Sequence, residues 1–373
     1  MNVLYVCADR GVPVLGNKGA SVHVRSVTAA MQQLGHRVTV VARQWGEGNP
    51  APRVHRLEQL EKDTPDAAMQ LEQFIFAERS EVVIERYSLE TEAAGTAARQ
   101  RGVPHMLELN ARLVEEATRY RGLADPAAER REHETLRAAD RIHVVSSALL
   151  RYVHAVAPTV PAAWIPNGAD VKRFRAAPSA ALSRVPGRTV VGFVGSMKPW
   201  HGVDQLLDAF ARARQTHPEA TLVLVGSGPR EAEIIERASR PDLRDSVMYA
   251  GQLPHEDVPS LLARFDIAVA PCLPAQEFYF HPLKVVEYLA AGKPVIYTDH
   301  YEPGSVNELT DRLTRVLGDE KLRQKLAASA AACGADLDWK IIADRVVRFA
   351  ALTSAGRRSS LPSTESPPAR VTL

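Results

Sequence analysis

The sequence predicts an α/β chain made of two halves, each built on a parallel sheet. Short apolar runs alternate throughout with longer amphipathic stretches, the pattern of strand–helix–strand units. The alternation restarts after a turn-rich passage at residues 160–170. The length of 373 residues suits two domains of ~100–200 residues each.

Taken in order, Val3-Leu-Tyr-Val-Cys7 reads as the first strand. A glycine-rich loop follows, then a helix from Ser21 to Leu34 that Gly35 ends. Further strands are expected at Val38–Val41, Val82–Ile84, Met106–Leu109 and Ile142–Val145. Trp164-Ile-Pro-Asn-Gly-Ala-Asp170 reads as the crossover between domains. The second half predicts strands at Thr189–Val194, Ala220–Val225, Val247–Ala250, Ile267–Ala270 and Pro294–Tyr297, with a helix over Asp204–Ala213. The expected domains are residues 1–165 and 166–338, two Rossmann-like halves facing a cleft. A terminal helix over 339–353 is expected to pack back on the amino-terminal domain. The Ser-, Pro- and Arg-rich tail 354–373 reads as disordered.

A formal net charge of +2 is near balance, so bulk charge points to neither nucleic acid nor membrane. Arginines from Arg112 to Arg131 alternate with glutamates and read as a solvated helix face. The cysteines Cys7, Cys272 and Cys333 are far apart. They give no disulfide framework and no metal spacing, and a cytoplasmic setting is expected. The apolar start is too short for a signal peptide and lacks a basic leader. No apolar run approaches the ~18 residues of a membrane span, though peripheral membrane contact stays open. The composition, rich in Ala and Arg, hints at a high-GC bacterial source.

Three loops carry candidate chemistry. His281-Pro-Leu-Lys-Val-Val-Glu-Tyr-Leu-Ala-Ala-Gly-Lys-Pro-Val-Ile296 reads as loop, short helix, stop at Gly292, then strand. Lys284 and Glu287, three apart, share a helix face near its start. The helix end and Lys284 suit a phosphate, and the carboxylate one turn further in suits sugar hydroxyls. Together they point to a diphosphate joined to a ribose. Gly195-Ser-Met-Lys-Pro-Trp-His-Gly202 places Lys198 and His201 in one glycine-bounded loop after a strand. Trp200 there reads as a packing residue. Gly16-Asn-Lys-Gly-Ala-Ser21 links the first strand to the first helix, with Ser21 as a possible cap. The plainer readings are a glycine turn, surface lysines and a helix-favouring glutamate. No Gly-x-Gly-x-x-Gly fingerprint follows a strand, which argues against a dehydrogenase.

These passages, with Pro166-Asn-Gly-Ala-Asp170, Gly19-Ala-Ser-Val-His-Val-Arg25 and Val83-Ile-Glu-Arg-Tyr-Ser88, resemble retaining glycosyltransferases of family 4 with the GT-B architecture. The resemblance covers nearly all of the chain except its tail. It implies transfer of a sugar from a nucleotide diphosphate sugar, UDP-linked by preference, to a small-molecule or glycan hydroxyl. It implies retained anomeric configuration and neither metal nor cofactor. Glu287 matches the carboxylate that holds the ribose, and Pro282, Leu283 and Lys284 match the loop near the diphosphate. Lys198 and His201 match diphosphate-binding cations. Gly251-Gln-Leu253 matches the segment that recognises the base. Gly19 and Ala20 match the loop behind the reacting sugar. Lys198, His201 and Glu287 are the expected catalytic set. Arg86, Tyr87, Asn110 and Glu115 are expected on the acceptor side, with Arg86–Glu115 open as a structural ion pair. His23 reads as a packed or solvated helix residue.

The chain departs from the family's pattern in four places. Tyr279 stands where many members have a first Glu, and Ser196 where many have Arg. Asn110 sits near the place of a His, and Asn is no general base. After Asp299 the chain runs at once into His300, where the family has a further loop, helix and strand. Our working expectation is a missing segment; a measured intact mass of 40.8 kDa would make it a true deletion. The competing functions are a sugar-nucleotide-binding but inactive partner of another transferase, and a sugar-nucleotide epimerase on the same fold.

Overall fold

The computed structural model describes residues 1–46, 53–57, 65–122, 125–176, 188–271, 281–297 and 306–352. Tyr279, Cys272, the Asp299–His300 junction and the tail 354–373 lie outside the described residues. The described chain forms two compact units. One holds 1–167, 281 and 339–352; the other holds the rest of 168–338.

The first unit has a parallel sheet of seven strands: β1 (Asn2–Cys7), β2 (Arg37–Ala42), β3 (Val54–Arg56), β4 (Val82–Arg86), β5 (His105–Leu109), β6 (Arg141–Val144) and β7 (Ala162–Trp164). Their order is β3-β2-β1-β4-β5-β6-β7. The helices α1 (Gly19–Gln33), α2 (Pro65–Ala77), α3 (Ala93–Arg101), α4 (Leu113–Arg121), α5 (Pro126–Ala138) and α6 (Ser147–Val156) connect them. Val3 to Cys7 are buried, as a central parallel strand covered on both faces requires. Leu71 and Ile75 of α2 and Ala94 and Ala97 of α3 pack with Leu4 and Val83. Leu136 of α5 and Leu149 and Val153 of α6 pack with Leu107 and Ile142.

The second unit has α7 (Val171–Ala176), then β8 (Val190–Val194), α8 (Val203–Ala213), β9 (Thr221–Val225), α9 (Glu231–Ala238), β10 (Val247–Tyr249), α10 (Val258–Leu262), β11 (Ile267–Ala270), α11 (Leu283–Ala290), β12 (Val295–Tyr297), α12 (Val306–Gly318) and α13 (Glu320–Ala335). Its parallel sheet runs β10-β9-β8-β11-β12. Phe193, Leu206, Phe210, Leu224, Val269 and Leu313 belong to one core. The last helix, α14 (Trp339–Ala351), belongs to the first unit and packs against α1.

Two strands depart from the sequence reading. β7 lies inside the passage read as a crossover, and β3 was not expected. Each is three residues long, too short to carry a periodic signal; backbone pairing to β6 and β2 defines them. Helix α1 starts at Gly19, two residues before the reading. Lys18 is its N-cap and makes no side-chain cap bond, so Ser21 is a buried first-turn residue and not the cap.

Candidate functional site

In each sheet the chain reverses its winding beside a central strand, β1 in the first and β8 in the second. Ligands in such sheets gather at the carboxyl ends of strands at that switch. The expected site residues fall there in each unit.

In the first unit the loop after β1 leads into α1. Arg25 Nη1 donates to the carbonyls of Val14 and Gly16 and holds that loop against the helix. Gly19 is exposed and Ala20 half-buried, at a helix start whose amides no side chain caps. The parallel register sets Arg86 beside Glu108 and Glu108 beside His143 on adjacent strands. Glu108 is fully buried. Its Oε1 accepts from Asn110 Nδ2 at 2.5 Å and from Arg86 Nη1 at 3.2 Å. His23 Nε2 lies 2.9 Å from the same oxygen. Tyr5 donates to Oε2 at 3.1 Å. Burial alone would raise the Glu108 carboxyl. His23, Arg86 and His143 outweigh it and hold the group well below the usual carboxylate range. Asn167 Nδ2 donates to the His281 carbonyl at 2.7 Å, so its Oδ1 faces His23 Nδ1 at 2.9 Å.

The acceptor-side expectations divide. Asn110 is half-buried and tied to Glu108. Arg86 pairs with Glu108 and not with Glu115, whose partners are Arg112 at 2.7 Å and Arg119 at 3.8 Å. Tyr87 is a core residue, 5% exposed, its hydroxyl raised by burial and by Glu132. Burial removes it from the acceptor side. His23 is neither solvated nor a plain packing residue; it is buried within a polar cluster. Glu108 and His23 are what the sequence reading missed. The signal was a glutamate inside Met106-Leu-Glu-Leu109, where an unpaired charge is costly.

In the second unit three loops are knitted at the sheet's carboxyl end. Met197 N donates to Ser227 O at 2.9 Å, Gly226 N to Gly251 O at 2.8 Å, and Tyr249 Oη to Gly226 O at 2.9 Å. Tyr288, fully buried in α11, accepts from Val194 N at 2.8 Å and pins that helix to the end of β8. Lys284 in the first turn of α11 has its Nζ 4.3 Å from the Phe193 ring centroid. A Cβ on Gly195 would stand 2.5 Å from that nitrogen, so glycine there makes room for the lysine. Exposed Lys198 precedes the turn Pro199–His201, with its Nζ 4.9 Å from the half-buried Trp200 ring. Ser196, Lys198, His201 and Lys284 are thus brought together.

His201 takes a different part from the expected one. Its Nδ1 donates to the Ser196 carbonyl, which leaves Nε2 as a lone pair. Burial and then the Lys284 charge push the ring down to about 3. It is therefore neutral here, and Lys198 and Lys284 supply the charge. The unfolded ring takes a proton near pH 6.5 and the folded ring only near pH 3. Between those values the unfolded state binds more protons, so stability falls on acidification. Wild-type melting temperature should drop more steeply from pH 7 to 4.5 than that of His201→Gln; parallel curves would reject this.

Glu287, 8% exposed, lies one turn beyond Lys284. His255 Nε2 donates to its Oε1 at 2.7 Å, and Arg173 Nη2 holds the His255 carbonyl at 3.0 Å. Pro282 caps the helix start and Leu283 begins it. Gly251 takes a left-handed φ of 69°, and Gly251 and Leu253 are half-buried after β10. Among the described residues no group of three or more His, Cys, Asp or Glu is placed to hold a metal ion. No described helix is long and apolar enough to cross a membrane.

Comparisons with known proteins agree with this layout. A family profile described as Glycosyltransferase Family 4 matches residues 17–173. One described as Glycosyl transferases group 1 matches residues 188–334. A glycogen synthase of Mycobacterium tuberculosis is 27% identical over 216 residues, 53% of this chain and 50% of that protein. The chain spans about half the length of the curated relatives it matches. Among solved structures, sucrose-phosphate synthase from Thermosynechococcus elongatus aligns with a TM-score of 0.75 at 20% identity, covering 94% of this chain and 98% of that one. Anabaena HepE in complex with UDP-glucose aligns at 0.71 and 19%, covering 94% and 99%. These likenesses give the fold as GT-B, two Rossmann-like units.

Proposed function

Because the chain belongs to glycosyltransferase family 4, within the group 1 glycosyl transferases, we propose that it moves a sugar from a UDP-sugar to a hydroxyl acceptor, with retained configuration and without a metal. The observation that carries this is Glu287, a buried carboxylate held by His255 one helical turn from Lys284. That spacing matches a ribose joined to a diphosphate. The bound UDP-glucose of the HepE structure favours uridine.

In the proposed reaction the sugar–oxygen bond to the diphosphate breaks and negative charge grows on the leaving group. Lys284 and Lys198, with the first amides of α11, meet that charge. Glu287 accepts from the ribose hydroxyls and fixes the leaving group in place. The acceptor hydroxyl attacks the face the diphosphate leaves, and the departing phosphate takes its proton. A neutral His201 offers a lone pair to a hydroxyl rather than a charge to phosphate. The free thiols of Cys7 and Cys333 suit a cytoplasmic setting for this chemistry.

The test is a thermal melt with UDP, GDP, dTDP and NAD in turn. A ligand at 100 times its dissociation constant adds ~2.7 kcal/mol of stability. The expected result is a rise with UDP and none with NAD. A rise with GDP or dTDP alone would reassign the base, and no rise with any would reject the proposal. UDP release then separates transfer from binding without turnover.

A further inference from the structure

Asn110, like Arg86, is an expected acceptor-side residue that is both held by Glu108 and half-buried, and it is the one whose side chain carries an acceptor as well as a donor. The held end of its carboxamide can be deduced. An ionised carboxylate only accepts hydrogen bonds. Glu108 Oε1, 2.5 Å away, therefore requires the NH2 of Asn110, and the amide oxygen must point away from the cluster. A free asparagine presents oxygen or nitrogen with nearly equal ease; this one presents oxygen.

We propose that Glu108 is a positioning residue that fixes the carboxamide of Asn110 so that its Oδ1 accepts a hydrogen bond from a substrate hydroxyl. This rests on the transfer reading above and deepens it. An amide oxygen orients a hydroxyl without removing its proton, as suits a reaction in which the leaving phosphate is the base. It also selects: a hydroxyl donates to Oδ1, whereas a methoxy or fluoro group in its place has no proton to give. The same oxygen of Glu108 serves Arg86 and faces His23, so three elements, β4, β5 and α1, converge on the atom that sets this orientation.

The geometry is tested without substrate. The chain has six asparagines, so protein labelled with 15N only at the asparagine side-chain amide gives few NH2 pairs, and Asn110→Ala assigns the relevant one. An NH2 pair protected from exchange and shifted by the carboxylate is expected. A pair exchanging like that of a free asparagine overturns the proposal. Function is read as UDP release from UDP-glucose, UDP-galactose and UDP-N-acetylglucosamine, in water and with monosaccharide acceptors.

Asn110→Ala should lower turnover about tenfold, the worth of one hydrogen bond, with the UDP dissociation constant unchanged. A loss in water as well as with acceptor assigns the hydroxyl to the transferred sugar. A loss seen only with acceptor assigns it to the acceptor. Glu108→Gln keeps an oxygen for the cluster but loses its charge. It should lower turnover in the wild-type background and add little on top of Asn110→Ala, because it acts through that residue. Fully additive losses, or unchanged turnover in Asn110→Ala, overturn the proposal. If Glu108→Gln does not fold, the amide pair and Asn110→Ala still decide. Wild-type protein that releases no UDP from any of the three overturns the transfer reading instead, and the amide signature keeps the two failures apart.

Discussion

Glu287→Gln is expected to weaken UDP binding about 10- to 100-fold while leaving the melting temperature of the free protein unchanged. The substitution keeps the oxygen that His255 bonds, so α11 stays anchored through that contact and through Tyr288. What it removes is the negative charge that the proposed reading sets against the ribose hydroxyls. Hydrogen bonds to a charged group contribute about 1.5–3 kcal/mol, which sets the range. Calorimetric titration with UDP measures it directly. An unchanged dissociation constant would detach Glu287 from the ribose and with it the main support for a UDP-sugar.

Gly226→Ala should do the most damage to the second unit. The residue has a φ of 126°, and a Cβ there would stand 2.0 Å from the Gly195 carbonyl oxygen. Backbone cannot swing aside as a side-chain tip can. Relief must come from parting the loops after β8 and β9, which are joined by Gly195 N to Val225 O and Met197 N to Ser227 O. Overpacking and a left-handed φ each cost about 1–3 kcal/mol, so about 3 kcal/mol is expected. That corresponds to roughly 10 °C in a unit of this size. UDP binding should fall with it, since Ser196, Lys198 and His201 ride on the displaced loop. A melting temperature within 2 °C or so of wild type would show that the loops can part at little cost.

Much of the fold was legible because its strands are dense in Val, Ile and Leu and several helices, α3 and α4 among them, end at glycines. β8, β9 and β11 were readable within a residue or so on that ground. β7 was not, since Ala162-Ala-Trp164 becomes a strand only by pairing with β6. The second unit's candidate residues were legible as spacing, because Lys284 and Glu287 sit on one short helix. The first unit's were less so. Glu108, Arg86 and His23 come from three elements far apart in sequence; strand register sets Arg86 beside Glu108, and the placement of α1 brings His23 to them. Spacing also says nothing of protonation. A histidine between two lysines reads as a third cation, whereas burial and the neighbouring Lys284 charge keep it neutral.

The last helix has a consequence for the order in which the protein is made. α14 belongs to the first unit and packs on α1, where Trp339 meets the His23 ring edge-on at 5.3 Å. The whole second unit is encoded between the two. A chain emerging from the ribosome therefore exposes the α1 face that α14 covers until α14 itself has been made, although domains made first usually fold first. A message truncated before Trp339 would yield the second unit entire and the first without its closing helix. The first unit of this chain is thus completed only after the second has been made.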